Sequence, residues 1–165
     1  MITGAELLKF LHILSAFWLV SGIVGRNLAS GQAAKVSNME NLKSLLLLVD
    51  RFDVLMVRPG SFAVLLAGIL TARQQGWPLL GFIEGSSSDW LLVSLVIYLG
   101  VFLLVPLVFI PRGKVFAAAM ANASAAGAIT PELRGAMHDR VVFAAHGLEA
   151  LAIALVIFLM VTKPF

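Results

Sequence analysis

The chain has no cysteine and little charge: Asp, Glu, Lys and Arg make up 13% of its 165 residues. Without cysteine there are no disulfides, thiolate metal sites or thiol nucleophiles. A soluble domain carries about a quarter charged residues, so a surface this poor in charge is suited to lipid rather than water. The net charge is only +3, from 12 basic and 9 acidic residues. That excess is too small and too scattered for a nucleic-acid-binding face, so no nucleic acid is expected as a partner. Tyrosine occurs once, as Tyr98.

What is abundant is apolar: 60% of the residues are hydrophobic. A bilayer core takes roughly 20 apolar residues per helical span. Four stretches qualify, at about 5–28, 54–73, 90–110 and 136–162. They are continuous rather than alternating, which points to helices and not to strands. The predicted class is all-α, a four-transmembrane-helix bundle in a single integral membrane domain over residues 1–165. The first stretch is longer than the apolar region of a secretory signal and lacks a basic leader, so it is expected to be retained as a span.

Lys and Arg set the orientation. Around the first and third loops lie eight of them: Arg26, Lys35, Lys43, Arg51, Arg112, Lys114, Arg134 and Arg140. The opposite side holds Lys9, Arg73 and Lys163, and Arg58 falls inside a span. The positive-inside rule therefore places both chain ends outside a bacterial-type cytoplasmic membrane, with loops one and three in the cytoplasm. Both of those loops predict helical extensions. The polar stretch 30–43 leads into a helix through Leu48, and the Ala-rich 114–128 suits a prolonged third span or an interfacial helix. Residues 74–89, rich in Gly and Ser, predict irregular chain. Thr130-Pro131-Glu132 has the pattern of a helix start, which implies one last helix running from about Pro131 to Thr162.

Ionisable groups within spans are costly and mark function or packing. At about 100° per residue, His12, Ser15, Leu19, Gly22 and Arg26 share one stripe of the first helix. The stripe fits a packing seam with close helix approach, and it equally fits a histidine ligand with a second polar group farther down. On the last helix His146 and Glu149 are one turn apart, with Asp139 on nearly the same face. His-x-x-Glu suits metal binding in bundles, but the partner carboxylates such sites need are missing from the second and third spans. An ion pair of Glu149 with Arg58 or Arg26 fits better. His12 lies about 10 Å inside its helix and His146 about 24 Å from the same side, which disfavours one metal bridging the two. Tyr98 matches His12 in depth and is its expected neighbour. Arg58-Pro59-Gly60 predicts a start or kink of the second span, and at a helix start Arg58 would sit beside free amides able to meet an anion.

The stretch LLKFLHILSAFWLVSGIVGRNLA resembles the first helix of the HemJ-type protoporphyrinogen oxidases, with their Lys-x-x-His pair followed by Trp, Gly and Arg. The ending VIFLMVTKPF is similar to their closing hydrophobic run. The same features are shared by a group of predicted small integral membrane proteins of unknown function, which this chain resembles most, and by copper-resistance D-type membrane domains. The HemJ resemblance implies haem b ligation by His12. It also locates differences: Ser94 stands where those enzymes carry a third-helix lysine, and His146-Gly147 where they carry an Asn-Glu pair. An enzymatic activity is therefore left open.

Three readings follow. One is a membrane protein binding haem b or a porphyrin in a redox role. His12 is then the iron ligand, Arg26, Arg58 and Tyr98 line the cofactor, and His146 is a lesser candidate for the iron. The second is a non-catalytic accessory subunit of a larger respiratory or photosynthetic membrane complex, or a homo-oligomer. The third is a small transporter or proton path through Tyr98, Glu149 and His146.

Overall fold

The computed structural model describes residues 2–86 and 89–164. Thr3 opens the first helix with a reciprocal cap. The Glu6 amide donates to the Thr3 hydroxyl at 3.2 Å, and the Thr3 amide donates to the Glu6 carboxylate at 2.8 Å. Helix α1 then runs over Gly4–Ala33. Asn38 caps α2, Met39–Phe52, whose chain passes through a single π-helical turn, Asp53–Val57, into α3, Arg58–Gln74. Beyond a 3-10 turn at Gly81–Glu84 come α4, Trp90–Leu104, a second π-helical turn, Val105–Phe109, and α5, Ile110–Ala126. Helices α6, Pro131–Met137, and α7, Arg140–Thr162, complete the chain. Among the described residues all regular structure is helical. Four continuous or nearly continuous helical runs, Gly4–Ala33, Met39–Gln74, Trp90–Ala126 and Pro131–Thr162, are long and apolar enough to cross a membrane.

The chain divides into two compact units, Met1–Trp77 and Pro78–Phe165. In the first, α1 packs along α2, the π turn and α3. The contacts run antiparallel: His12 lies against Val64 and Gly68, Leu19 against Gly60, Gly22 against Met56, and Arg26 against Asp53. The stripe expected on α1 is thus the packing seam of this unit. Its glycines are what let the helices close. A Cβ on Gly22 would meet that of Met56 at 2.6 Å, and one on Gly60 would stand 3.1 Å from the Leu19 backbone. Where lipid replaces water between helices, such close backbone approach is the main source of association. In the second unit α4 packs on α7, and α5 on α6. Trp90, Leu91 and Ser94 are buried on α4, with Ala145, Glu149 and Ala152 on α7. Leu133 of α6 and Ala123 of α5 are fully buried.

Two expectations need correction. The second span neither starts nor stops at Arg58, because the helix continues through it. Proline has no N–H and its ring crowds the carbonyl four residues back, which breaks the ordinary ladder. Here the π turn absorbs that break, the Arg58 amide bonding five residues back to Asp53. Arg58 therefore has no cluster of free helix-start amides beside it. Of the two alternatives for the Ala-rich 114–128, the prolonged third span is the one found. A π turn with the Ile110 amide on the Val105 carbonyl precedes Pro111, and the helix continues to Ala126. The last helix does start at Thr130, whose hydroxyl accepts from the Leu133 amide at 3.3 Å. It is then interrupted at His138, and Asp139 caps a new helix by accepting from the Val141 amide at 2.8 Å. An aspartate that caps α7 cannot also sit in the middle of one unbroken helix. Of the stretch expected to be irregular, 74–89, residues 87 and 88 lie outside the described residues, as does Phe165 of the closing Lys-Pro-Phe.

Candidate functional site

His12 sits on the seam of the first unit, half-buried, with its Nδ1 3.0 Å from the carbonyl oxygen of Val64 on α3. A carbonyl can only accept, so Nδ1 is the donor, and a neutral ring then keeps its lone pair on Nε2. Hydrogen-bonding one ring nitrogen to a backbone carbonyl is how a protein fixes the tautomer and plane of a ligand histidine. The second polar residue of the stripe does not take part. The Ser15 hydroxyl bonds back along its own helix to the Leu11 carbonyl at 2.8 Å.

Two turns farther along α1, Trp18 makes a comparable bond. Its indole Nε1 donates to the Leu55 carbonyl at 3.2 Å. Leu55 lies in the π turn just before Pro59, where the helical ladder is shifted and proline offers no N–H. Trp18 and His12 therefore bind α3 and its π turn through two backbone carbonyls. Neither carbonyl is visible as a site in sequence.

The far end of the seam from His12 carries charge. Asp53, in the π turn, accepts from Arg58 Nε at 2.8 Å and from Arg26 at 3.5 Å. Arg26 is buried, whereas the Arg58 side chain is 66% exposed, so the same carboxylate serves one interior and one peripheral guanidinium. Arg26 is 14 positions beyond His12 on one helix, which is about 21 Å. By that distance Arg26 stands apart from His12, whereas Arg58 is six residues from Val64 on α3, about 9 Å along that helix.

The remaining candidates belong to the second unit. Tyr98 is on α4 with its ring 5.5 Å from that of Phe102. His146 Nδ1 is 3.2 Å from Glu149 Oε2, one turn on along α7. Phe109, at the end of the second π turn, stacks on the His146 ring with centroids 4.8 Å apart and planes 24° from parallel. Glu149 is buried. At the same end of the unit, Arg112 donates to Asp139 at 3.1 Å, joining α5 to the cap of α7. Ser94, at the position of the lysine in the HemJ-type enzymes, is buried and bonds the Trp90 carbonyl at 2.7 Å. Among the described residues no three His, Asp or Glu side chains are grouped to hold a metal ion by themselves.

Four long apolar helices, with large hydrophobic side chains exposed along each of them, define an integral membrane protein whose outer surface meets lipid. Residues 6–164 match the family described as predicted integral membrane protein (DUF2269), and the chain belongs to that family. No curated protein and no solved structure matches it.

Proposed function

We propose that the protein binds haem b, or a closely related metalloporphyrin, with His12 Nε2 as a ligand to the iron, and serves a redox role in the membrane. The observation that carries this reading is the bond between His12 Nδ1 and the Val64 carbonyl. It orients the ring and leaves Nε2 as the donor atom, the arrangement in which an imidazole is a good ligand. The first-helix resemblance to the HemJ-type oxidases supports the same residue. Haem b, when bound, supplies one-electron chemistry whose potential the axial ligand and its hydrogen bonds tune. Arg26 does not fit as a partner of the haem carboxylates of such a site, because about 21 Å of helix separates it from His12. The Lys and Arg distribution favours both chain ends outside a bacterial-type cytoplasmic membrane, with His12 toward the outer face.

The test is the visible spectrum of protein expressed with ample haem precursor. A Soret band that is lost in His12→Ala, with helicity and detergent monodispersity retained, is the expected result. Colourless wild-type protein overturns the reading.

A second reading, an accessory subunit of a larger membrane complex, is favoured by a different observation. Asp53 of the π turn bonds Arg26 of α1, and Arg112 of α5 bonds Asp139 at the start of α7. Charges used this way tie helices together rather than perform chemistry. Co-purification of defined partner subunits in mild detergent supports it, and a lone monodisperse species counts against it.

A further inference from the structure

The Val64 carbonyl lies in the middle of a regular helix, where its own ladder bond comes from residue 68. A carbonyl oxygen has a second lone pair, but a neighbouring helix rarely reaches it. Side chains of a helix lean toward its N-terminus, so residue i+4 covers the carbonyl of residue i. At position 68 that cover is missing, because the residue is glycine. A Cβ built there would stand 2.9 Å from Cε1 and 3.2 Å from Nδ1 of His12. The imidazole occupies the volume that any other residue at position 68 would fill.

We infer that Gly68 is the positioning residue of the His12 site. By leaving the Val64 carbonyl open it holds the His12 ring against α3 with the proton on Nδ1 and the lone pair on Nε2. The inference about ring and tautomer stands on the geometry of α1 and α3. That the Nε2 lone pair meets a haem iron rests on the reading above. The ligand class this donor suits is a borderline transition-metal centre that accepts imidazole, as opposed to a hard cation that prefers oxygen.

The experiment uses full-length protein in detergent micelles with 15N-labelled histidine rings. The chain has three histidines, and His12→Gln assigns the resonances. Haem affinity is measured on the same samples. In the wild type His12 is expected to carry its proton on Nδ1. In Gly68→Ala the proton moves wholly or partly to Nε2, and haem affinity falls about 10- to 100-fold, the usual effect of removing the group that orients a ligand. A wild-type proton on Nε2 overturns the inference whether or not the variant folds. So does a Gly68→Ala protein that keeps the wild-type tautomer, or one that changes tautomer without changing affinity. Wild-type protein that takes up no haem yet shows the tautomer change in Gly68→Ala overturns the haem reading and leaves Gly68 as the residue that positions His12.

Discussion

Trp18 donates its indole N–H to the carbonyl of Leu55, which lies in the π turn that precedes Pro59. A side chain of one helix bonds the irregular turn of its neighbour, and the bond fixes how α1 sits on the π turn. In hydrocarbon an unsatisfied carbonyl has no water to turn to, so the residue four places before the proline and the tryptophan opposite it act as one unit.

That coupling is measurable. Trp18→Phe keeps the apolar ring and removes the donor, and should destabilise the detergent-solubilised protein by about 1 kcal/mol, as interhelical hydrogen bonds in membranes do. In a Pro59→Ala background the alanine amide can supply Leu55, and the same Trp18→Phe change should cost less. Thermal unfolding of the four proteins of this cycle measures the difference, and equal costs in both backgrounds would show that the two residues are independent.

The seam predicts a contrast between two glycines of α1. A Cβ on Gly22 would stand 2.6 Å from that of Met56, whereas one on Gly31 would have nothing within 4 Å. Gly22→Leu should therefore destabilise by about 1–3 kcal/mol through overpacking, and Gly31→Leu should be neutral or mildly stabilising because glycine is a poor helix former. The comparison of melting temperatures in one detergent checks it.

The two arginines on Asp53 predict unequal effects. Arg58→Gln removes a largely exposed partner, and its effect should stay within about 1 kcal/mol. Asp53→Asn withdraws the carboxylate from the buried Arg26 as well, and should destabilise by several times more, toward the range for breaking interior ion pairs. Chemical denaturation of the two variants orders them, and a larger loss in Arg58→Gln would contradict the assignment.

Asp139 both caps α7 and pairs with Arg112. Asp139→Ala should cost about 1–2 kcal/mol from the cap alone, and amide hydrogen exchange at Val141 and Val142 should accelerate while the middle of α7 is unaffected. Unchanged exchange at those two amides would show that the helix does not begin where the structure places it.

The helical class and the four apolar stretches were legible because span length and continuous hydropathy are properties of composition, and Thr130-Pro131 announced its helix by chemistry local to three residues. Helix ends set by prolines were not legible in the same way. Pro59 and Pro111 carry the ordinary signal for a break, yet each follows a π turn that carries the chain on, and the choice depends on neighbours such as Trp18 that are remote in sequence. The cap at Asp139 was the opposite case: an aspartate at a helix start is a local signal, hidden by the pull of a long apolar run behind it. The α1 stripe was correctly placed on one face, but its partners were not. Val64 contributes a backbone atom and Gly68 an absence, and neither has a side-chain pattern to find. Depth along the membrane suggested Tyr98 as a neighbour of His12, and the bond that orients the ring, to the Val64 carbonyl, has no such signal.

His12 is proposed as a haem ligand. Haemin titration of purified, haem-free protein tests it most directly, with wild type, His12→Ala and His146→Ala compared in one detergent. The account predicts saturable binding at one haem per chain in wild type and His146→Ala, and its loss in His12→Ala with helicity retained. Binding of equal stoichiometry and affinity in His12→Ala would contradict it.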